Sequence, residues 1–193
     1  MINYFSEYVN LQKKALESID KDTLAKVIGL FRSALDEERQ IFVFGNGGSG
    51  NNASHFVTDL GKSSSDKTLK RFRCICLNDN TGWITAIGND YCFEDIFMRQ
   101  LSNFAGPGDL LMGLSVSGNS PNMVKAMEWG KSRGMHTIAL VGGKKGKLAE
   151  LADKVMVIND THYGRVEDAQ MGICHMICYA FIEKSELQGP LQA

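Results

Sequence analysis

The sequence predicts an α/β fold in which a parallel sheet of about five strands is covered by helices on both faces. Three observations carry that expectation. Short continuous apolar runs at 41–44, 74–77, 110–114, 137–141 and 155–158 lack the alternation of a half-exposed strand and read as strands buried on both sides. Helix-periodic stretches lie between them, at roughly 50–62, 82–104, 121–133 and 147–152, and such alternation implies right-handed crossovers. Glycine-rich and hydroxyl-rich turns follow the first and third runs, at the strand ends where open sheets of this kind form their binding crevice.

Two helical patterns precede the sheet. The first, 2–19, sets Phe5, Val9, Leu16 and Ile19 broadly on one side with no strand near them in sequence, so this face suits another subunit as well as its own core. The second, 20–39, takes Asp20 or Asp22 as N-cap and turns Leu24, Val27, Ile28, Phe31 and Leu35 inward. The last helix runs over about 165–186. There is no internal repeat or linker, and the expected organisation is a single domain, 1–193, with N-terminal helices at 1–39 and the sheet with its helices at 40–193.

Composition narrows the classes. A chain of 193 residues with 44% hydrophobic content buries one sizeable core. Its net charge of -1, without a basic block, gives no electrostatic reason to expect nucleic acid or an anionic membrane as partner. The apolar runs stop well short of about 20 residues and the N-terminus lacks the regions of a signal peptide, so a cytoplasmic protein is expected. Five cysteines, odd in number and without a C-x-x-C pair, read as reduced thiols that are mostly buried.

The stretch Ser115-Val116-Ser117-Gly118-Asn119-Ser120 follows one apolar run and opens a helix at Pro121. Ser120 suits the N-cap, Pro121 the first helical position, and hydroxyls gathered at a helix N-terminus make a seat for phosphate. A second turn, Gly45-Asn46-Gly47-Gly48-Ser49-Gly50, precedes a helix expected to start near Asn51. Gly45, Gly47 and Gly50 fit G-x-G-x-x-G, but the next strand leads into Asn78, leaving only Asp79 as an acidic partner for a dinucleotide. No Walker lysine follows, since Asn51 and Asn52 stand there. His55 and Asp59, four residues apart, share a helix face and can converge on a metal or a substrate. Glu167 and His175, eight apart, lie again on roughly one side, and the combined donor set suits zinc or a similar divalent ion.

Together, Gly45 to Ser49 with His55, the serine stretch 115–120 and the segment 165–175 resemble the sugar isomerase (SIS) domain, and within it the phosphoheptose isomerases. The likeness runs over nearly the whole chain, and Asn89-Asp90 matches a further segment of that family's sugar site. It implies a three-layer SIS fold and a cytoplasmic homotetramer, often zinc-dependent, with active sites completed by neighbouring subunits. The implied reaction converts sedoheptulose 7-phosphate to D-glycero-D-manno-heptose 7-phosphate for heptose-containing surface polysaccharides. Carried over by position, the resemblance assigns Ser115, Val116, Ser117 and Ser120 to the phosphate, and Asn46, Gly47, Gly48, Ser49, Asn89, Asp90 and Glu167 to the sugar. His55, Asp59, Glu167 and His175 would hold a divalent cation, zinc above all, with Asp59, Glu167 and His175 as the catalytic set. The family usually has Glu where Asp59 stands and Gln where Glu167 stands, so the division of roles between these carboxylates is open. A binding or regulatory SIS protein without turnover, and an isomerase of another ketose phosphate, are the alternative readings.

Overall fold

The computed structural model describes residues 1–189. Two helices, α1 (Ile2–Glu17) and α2 (Lys21–Asp36), lead into β1 (Gln40–Gly45). Then follow α3 (Gly47–Asp59), β2 (Arg73–Cys76), α4 (Thr81–Asp90), α5 (Met98–Phe104), β3 (Leu110–Ser115), α6 (Pro121–Ser132), β4 (His136–Gly142), α7 (Gly146–Leu151), β5 (Lys154–Ile158), α8 (Tyr163–Glu183) and the short α9 (Ser185–Gln188). All four strand pairings are parallel, in the order β2-β1-β3-β4-β5. This is the expected α/β architecture.

Two apolar layers sandwich the sheet. On one side Val27 and Phe31 of α2, Phe56 of α3 and Ile173, Ile177 and Phe181 of α8 pack on Ile41, Val43 and Met112. On the other, Met123 and Met127 of α6 and Phe97 beside α5 pack on Phe42, Phe44 and Leu111. Alternate residues of β1 thus enter opposite layers, as the pleat requires, and each fully buried Phe or Leu contributes roughly 1.5–3 kcal/mol of transfer free energy. The Phe31 and Phe56 rings meet edge-on at 5.6 Å, tying α2 to α3.

The structure departs from the sequence expectation in four places. β2 is an edge strand with Arg73 and Ile75 exposed, because the chain returns outside β1 and leaves one side of β2 without a neighbouring strand. The expected single helix over 82–104 is broken after Asp90: Tyr91 leaves the helical region, a 3₁₀ turn (Phe93–Asp95) follows, and buried Asp95 binds both Arg99 and Lys125. Burying Ile96, Phe97 and Leu101 from that segment outweighs helical continuity. On α1, Ala15 and Ile19 beyond its end are buried and Leu16 half-buried, whereas Ile2 (80%) and Val9 (64%) stay exposed. Here Tyr8 donates to Asp168 and Gln12 to the Arg165 carbonyl, so polar contacts fix α1 on α8. Finally, the glycine stretch is not a loop before a helix. It is the first turn of α3, with Asn46 as N-cap.

Candidate active site

Strand order reverses between β1 and β3, since the chain leaves β1 toward β2 and comes back on its other side. In open parallel sheets ligands bind at such a switch point, outside the carboxyl ends of the strands. The turn after β1 and the serine loop after β3 both stand there.

After β1, the first N–H groups of α3 lack helical acceptors, and the Asn46 side chain caps none of them. Asn78 fixes the strand end: it accepts from Gly45 N–H at 3.1 Å and donates to the Gly45 carbonyl at 2.7 Å. Ser49 is buried, and its hydroxyl donates to Gln170 at 2.9 Å. What Ser49 offers a ligand is therefore its main chain, which differs from the hydroxyl role expected of a serine in such a turn.

After β3, Ser115 Oγ accepts from Gly118 N–H and Ser117 Oγ from Asn119 N–H. Gly118 has φ +67°, and a Cβ there would lie 1.9 Å from the Lys145 carbonyl oxygen, so only glycine fits. Ser120 occupies the N-cap of α6 but makes no side-chain cap bond, which leaves its hydroxyl to a ligand. Asn46, Ser49, Ser115, Val116, Ser117, Ser120, Tyr163 and Glu167 enclose a cavity of about 60 Å³. At about 30 Å³ per water molecule, that space takes a compact polar head group, with the rest of a sugar chain lying outside it.

Glu167 reaches this cavity from α8 and lies so close to Gly48 that a Cβ on Gly48 would come within 2.3 Å of its carboxylate. Burial, and after it the charge of Asp168, pushes the Glu167 carboxyl above its ordinary range. The α8 N-terminus that delivers it is held by Asp160, whose carboxylate binds Arg165 and accepts from the N–H groups of Thr161 and His162. The Arg165 guanidinium holds the Asp160 carboxyl at about 2.

A second cluster joins α3 to α8. Asp59 Oδ2 lies 3.3 Å from His55 Nε2 and 3.4 Å from His175 Nε2, and the three ligand atoms fall within 4.8 Å of one another. The imidazoles meet edge-on at 5.2 Å. Asp59 ends α3, and a π-helical turn, Leu60–Ser64, follows at once. Two imidazoles and one carboxylate with solvent access are a donor set for zinc that leaves coordination positions open. The neighbouring thiols are no competitors: burial pushes Cys178 up to about 12 and Cys174 well above the ordinary thiol value, so neither supplies a thiolate.

Glu167, placed with this cluster by its spacing, does not join it among the described residues. Eight helical residues advance roughly 12 Å along the axis, so sharing a face with His175 does not bring their tips together, whereas His55 and Asp59 are separated by only one turn. Asn89 and Asp90 stand exposed at the end of α4, with Asn89 donating to Asp90, and neither lines the serine cavity. Three residues that do shape it were not anticipated: Tyr163, Gln170 and Asn122. Asn122 follows a proline at a helix start, where a polar side chain normally signals no more than a cap. A larger groove of about 720 Å³ along β2 is lined by Cys74, Ile75, Asp79, Trp83 and Phe104 and contains none of the expected site residues. The chemistry-bearing groups gather around the small cavity and the cluster between α3 and α8.

The sequence matches the SIS domain over residues 3–142. The probable phosphoheptose isomerase of Thermoplasma volcanium is 38% identical over 173 residues, covering 90% of this chain and 88% of its own. The phosphoheptose isomerase of Geotalea daltonii is 35% identical over 182 residues, covering 92% and 94%. The structure of phosphoheptose isomerase GmhA from Neisseria gonorrhoeae superposes with a TM-score of 0.84 at 29% identity, covering 94% of this chain and 96% of that one. Matched along nearly its whole length in sequence and in fold, the chain belongs to the SIS-domain family and, within it, to the phosphoheptose isomerases.

Proposed function

We propose that this protein is an aldose-ketose isomerase that converts sedoheptulose 7-phosphate to D-glycero-D-manno-heptose 7-phosphate through a cis-enediol. The observation that carries the proposal is the pairing, on one chain of this family, of a hydroxyl-lined anion seat with a His-Asp-His cluster able to move protons. The phosphate binds Ser115, Ser117 and Ser120 and the main chain at Val116, with Asn46, Gly47, Gly48, Ser49 and Glu167 around the sugar. Anchoring the phosphate away from the reacting carbons supplies binding energy that orients them.

Interconversion needs a proton taken from the carbon beside the carbonyl, returned to the neighbouring carbon, and exchanged between the two oxygens. Asp59 can divide its labour, because Oδ2 faces both imidazoles while Oδ1 makes no hydrogen bond among the described residues. Oδ1 takes the carbon-bound proton, and His175 carries the proton between the oxygens. A divalent cation, zinc by its donor set, would be held by His55, Asp59 and His175 and would stabilise negative charge on the enediol oxygens.

The same reading covers the assembly. We take residues 1–193 as one domain, of which 190–193 lie outside the described residues. The protein would work in the cytoplasm as a homotetramer of dihedral symmetry, with Asn89 and Asp90 meeting the sugar of a neighbouring subunit. The exposed Ile2, Phe5 and Val9 on α1 support such an assembly, and no helix among the described residues is long and apolar enough to cross a membrane. Sedimentation tests the tetramer, and an active monomer would exclude it. Incubation with sedoheptulose 7-phosphate in D₂O, with and without zinc, tests the reaction: the aldose should appear with deuterium at the exchanged carbon. Neither product nor exchange under both conditions would leave the binding or regulatory reading.

A further inference from the structure

The serine loop and the turn after β1 belong to segments far apart in sequence, yet one pair of side chains joins them. Asn46 Nδ2 donates to Asn122 Oδ1 at 2.9 Å, and Asn122 Nδ2 donates back to Asn46 Oδ1 at 2.9 Å. This closed amide pair ties the N-cap of α3 to the first turn of α6. Asn122 is 1% exposed, so its bonds are made without competition from water.

The pair has a direction. Met123 N–H, which also donates to the Ser120 carbonyl at 3.0 Å, donates to Asn122 Oδ1 at 2.9 Å, and a side-chain N–H turned to that place would set donor against donor. The helix start therefore sets which way the Asn122 amide faces, and Asn122 in turn sets Asn46, because the opposite orientation of Asn46 would place N–H against N–H and oxygen against oxygen. An amide in a closed pair spends one of its two N–H groups and one of its two acceptor sites. Asn46, which lines the serine cavity, keeps the other of each for a ligand, in a fixed orientation. There is a further consequence at α6. An N-cap serine ordinarily turns its oxygen to the second or third N–H of its helix. The third, that of Met123, is already shared by Asn122 Oδ1 and the Ser120 carbonyl, and the Ser120 hydroxyl makes no cap bond.

We infer that Asn122 is a positioning residue for the sugar-phosphate site: through its amide pair with Asn46 and its bond to Met123, it orients the Asn46 amide and releases the Ser120 hydroxyl toward the ligand. The inference rests on the reading of the serine cavity as the phosphate seat. It concerns a residue that touches no ligand itself, so its effects pass through Asn46 and Ser120.

The experiment is a set of variants on the full chain: Asn46→Ala, Asn122→Ala, Asn122→Asp, the doubles Asn46→Ala/Asn122→Ala and Asn46→Ala/Asn122→Asp, and Ser120→Ala as control. Inorganic phosphate binding is followed by calorimetry, KM and kcat with sedoheptulose 7-phosphate, and the side-chain amide signals by ¹⁵N NMR. Asn122→Ala should weaken phosphate roughly five- to hundredfold, the range of one or two lost buried hydrogen bonds, with the larger part of the kinetic loss in KM. Asn122→Asp keeps the shape and the acceptor for Met123, removes the donor to Asn46 and adds a carboxylate, so its loss counts as positioning only where it shrinks in the Asn46→Ala background; repulsion of phosphate by the new charge alone would persist there. In both Asn122 variants the Asn46 side-chain amide signals should shift. Against an Asn46→Ala background, Asn122→Ala should cost clearly less than it does in the wild type, leaving only the part that passes through Ser120, since residues acting as one unit are not additive. Should Asn122→Ala and Asn122→Asp leave phosphate affinity intact while Ser120→Ala weakens it, or should the Asn46 and Asn122 losses simply add, the positioning role is overturned and the phosphate seat stands. Should wild-type protein bind no phosphate and Ser120→Ala leave KM unchanged, the seat itself is wrong and the positioning role falls with it.

Discussion

The two halves of the site are built on different principles. The proposed anion seat is main chain and short side chains at two strand ends, held in place by amides that are themselves hydrogen-bonded: Asn78 on Gly45, Asn122 on Asn46, Gln170 on Ser49. The cluster proposed to move protons is three side chains presented by two helices, half open to solvent, with Asp59 between the two imidazoles. The first arrangement suits a group whose charge and shape do not change during turnover. The second suits groups that must gain and lose protons and keep access to a substrate. On this division, substitutions in the seat should act mainly on KM, and substitutions in the cluster mainly on kcat.

The largest effect that separates the halves is expected from Asp59→Asn. Removing a general base ordinarily costs about 10²–10⁴ in rate, and here it should abolish solvent deuterium incorporation while phosphate affinity stays within about twofold. Undiminished exchange in Asp59→Asn, together with its loss in Glu167→Gln, would move the base to Glu167 and bring the two halves into one.

Next in size is metal affinity. Zinc binding, measured by calorimetry against a competing chelator, should weaken on acidification, because protons compete with a metal ion for imidazole nitrogen, by up to roughly a hundredfold per pH unit where two protons compete with one ion. Asp59→Asn should weaken it further at any pH, and Ser120→Ala should leave it alone. A zinc affinity that responds equally to both substitutions would deny the separation.

Legibility in the sequence differed between the halves for a physical reason. Turns at strand ends are local: Gly45 to Gly50 and Ser115 to Ser120 announce themselves by glycine, hydroxyl and proline at adjacent positions, and the strands before them are continuous apolar runs. The amides behind the turns were not legible, since Asn78 and Asn122 acquire their roles only when residues 33 and 76 positions away arrive beside them. His55 with Asp59 was readable from one-turn spacing. The meeting of Asp59 with His175, by contrast, depends on how α3 packs on α8, and helical periodicity together with the family resemblance drew Glu167 into that cluster although it stands over Gly48. The break after Asp90 was hidden likewise, because it depends on Asp95 finding Lys125 across the fold.

A smaller effect belongs to the seat. Ser117→Ala or Ser120→Ala removes a hydroxyl that would meet a charged phosphate, so each should weaken phosphate binding roughly five- to hundredfold while leaving kcat nearly unchanged. Of the two, Ser120→Ala should cost more, because Ser117 Oγ already accepts from Asn119 N–H whereas Ser120 makes no side-chain cap bond to give up. Unchanged calorimetric titrations for both would remove the seat.

The smallest expected effect concerns the carboxylate that borders the seat. Glu167 is raised above its ordinary range, chiefly by burial and then by Asp168, so the folded chain holds that proton more tightly than the unfolded chain does. A carboxyl raised in this direction lowers stability as pH climbs from the unfolded value, about 4.3, through the folded one, and at neutral pH the full cost of keeping it charged is present. Glu167→Gln removes that cost without changing the shape of the side chain, and the amide can still lie against Gly48. Metal-free protein carrying this substitution should therefore melt higher than wild type near pH 7.5, by no more than the 2–4 °C that about 1 kcal/mol makes in a chain of this length. The gain should shrink as pH falls toward the unfolded value, since Glu167 takes up its proton earlier in the folded chain than in the unfolded one. Were the difference constant across that range, or its sign reversed, the Glu167 charge would be favourably solvated in the seat, and the carboxylate would have to be counted among the groups that hold the fold together.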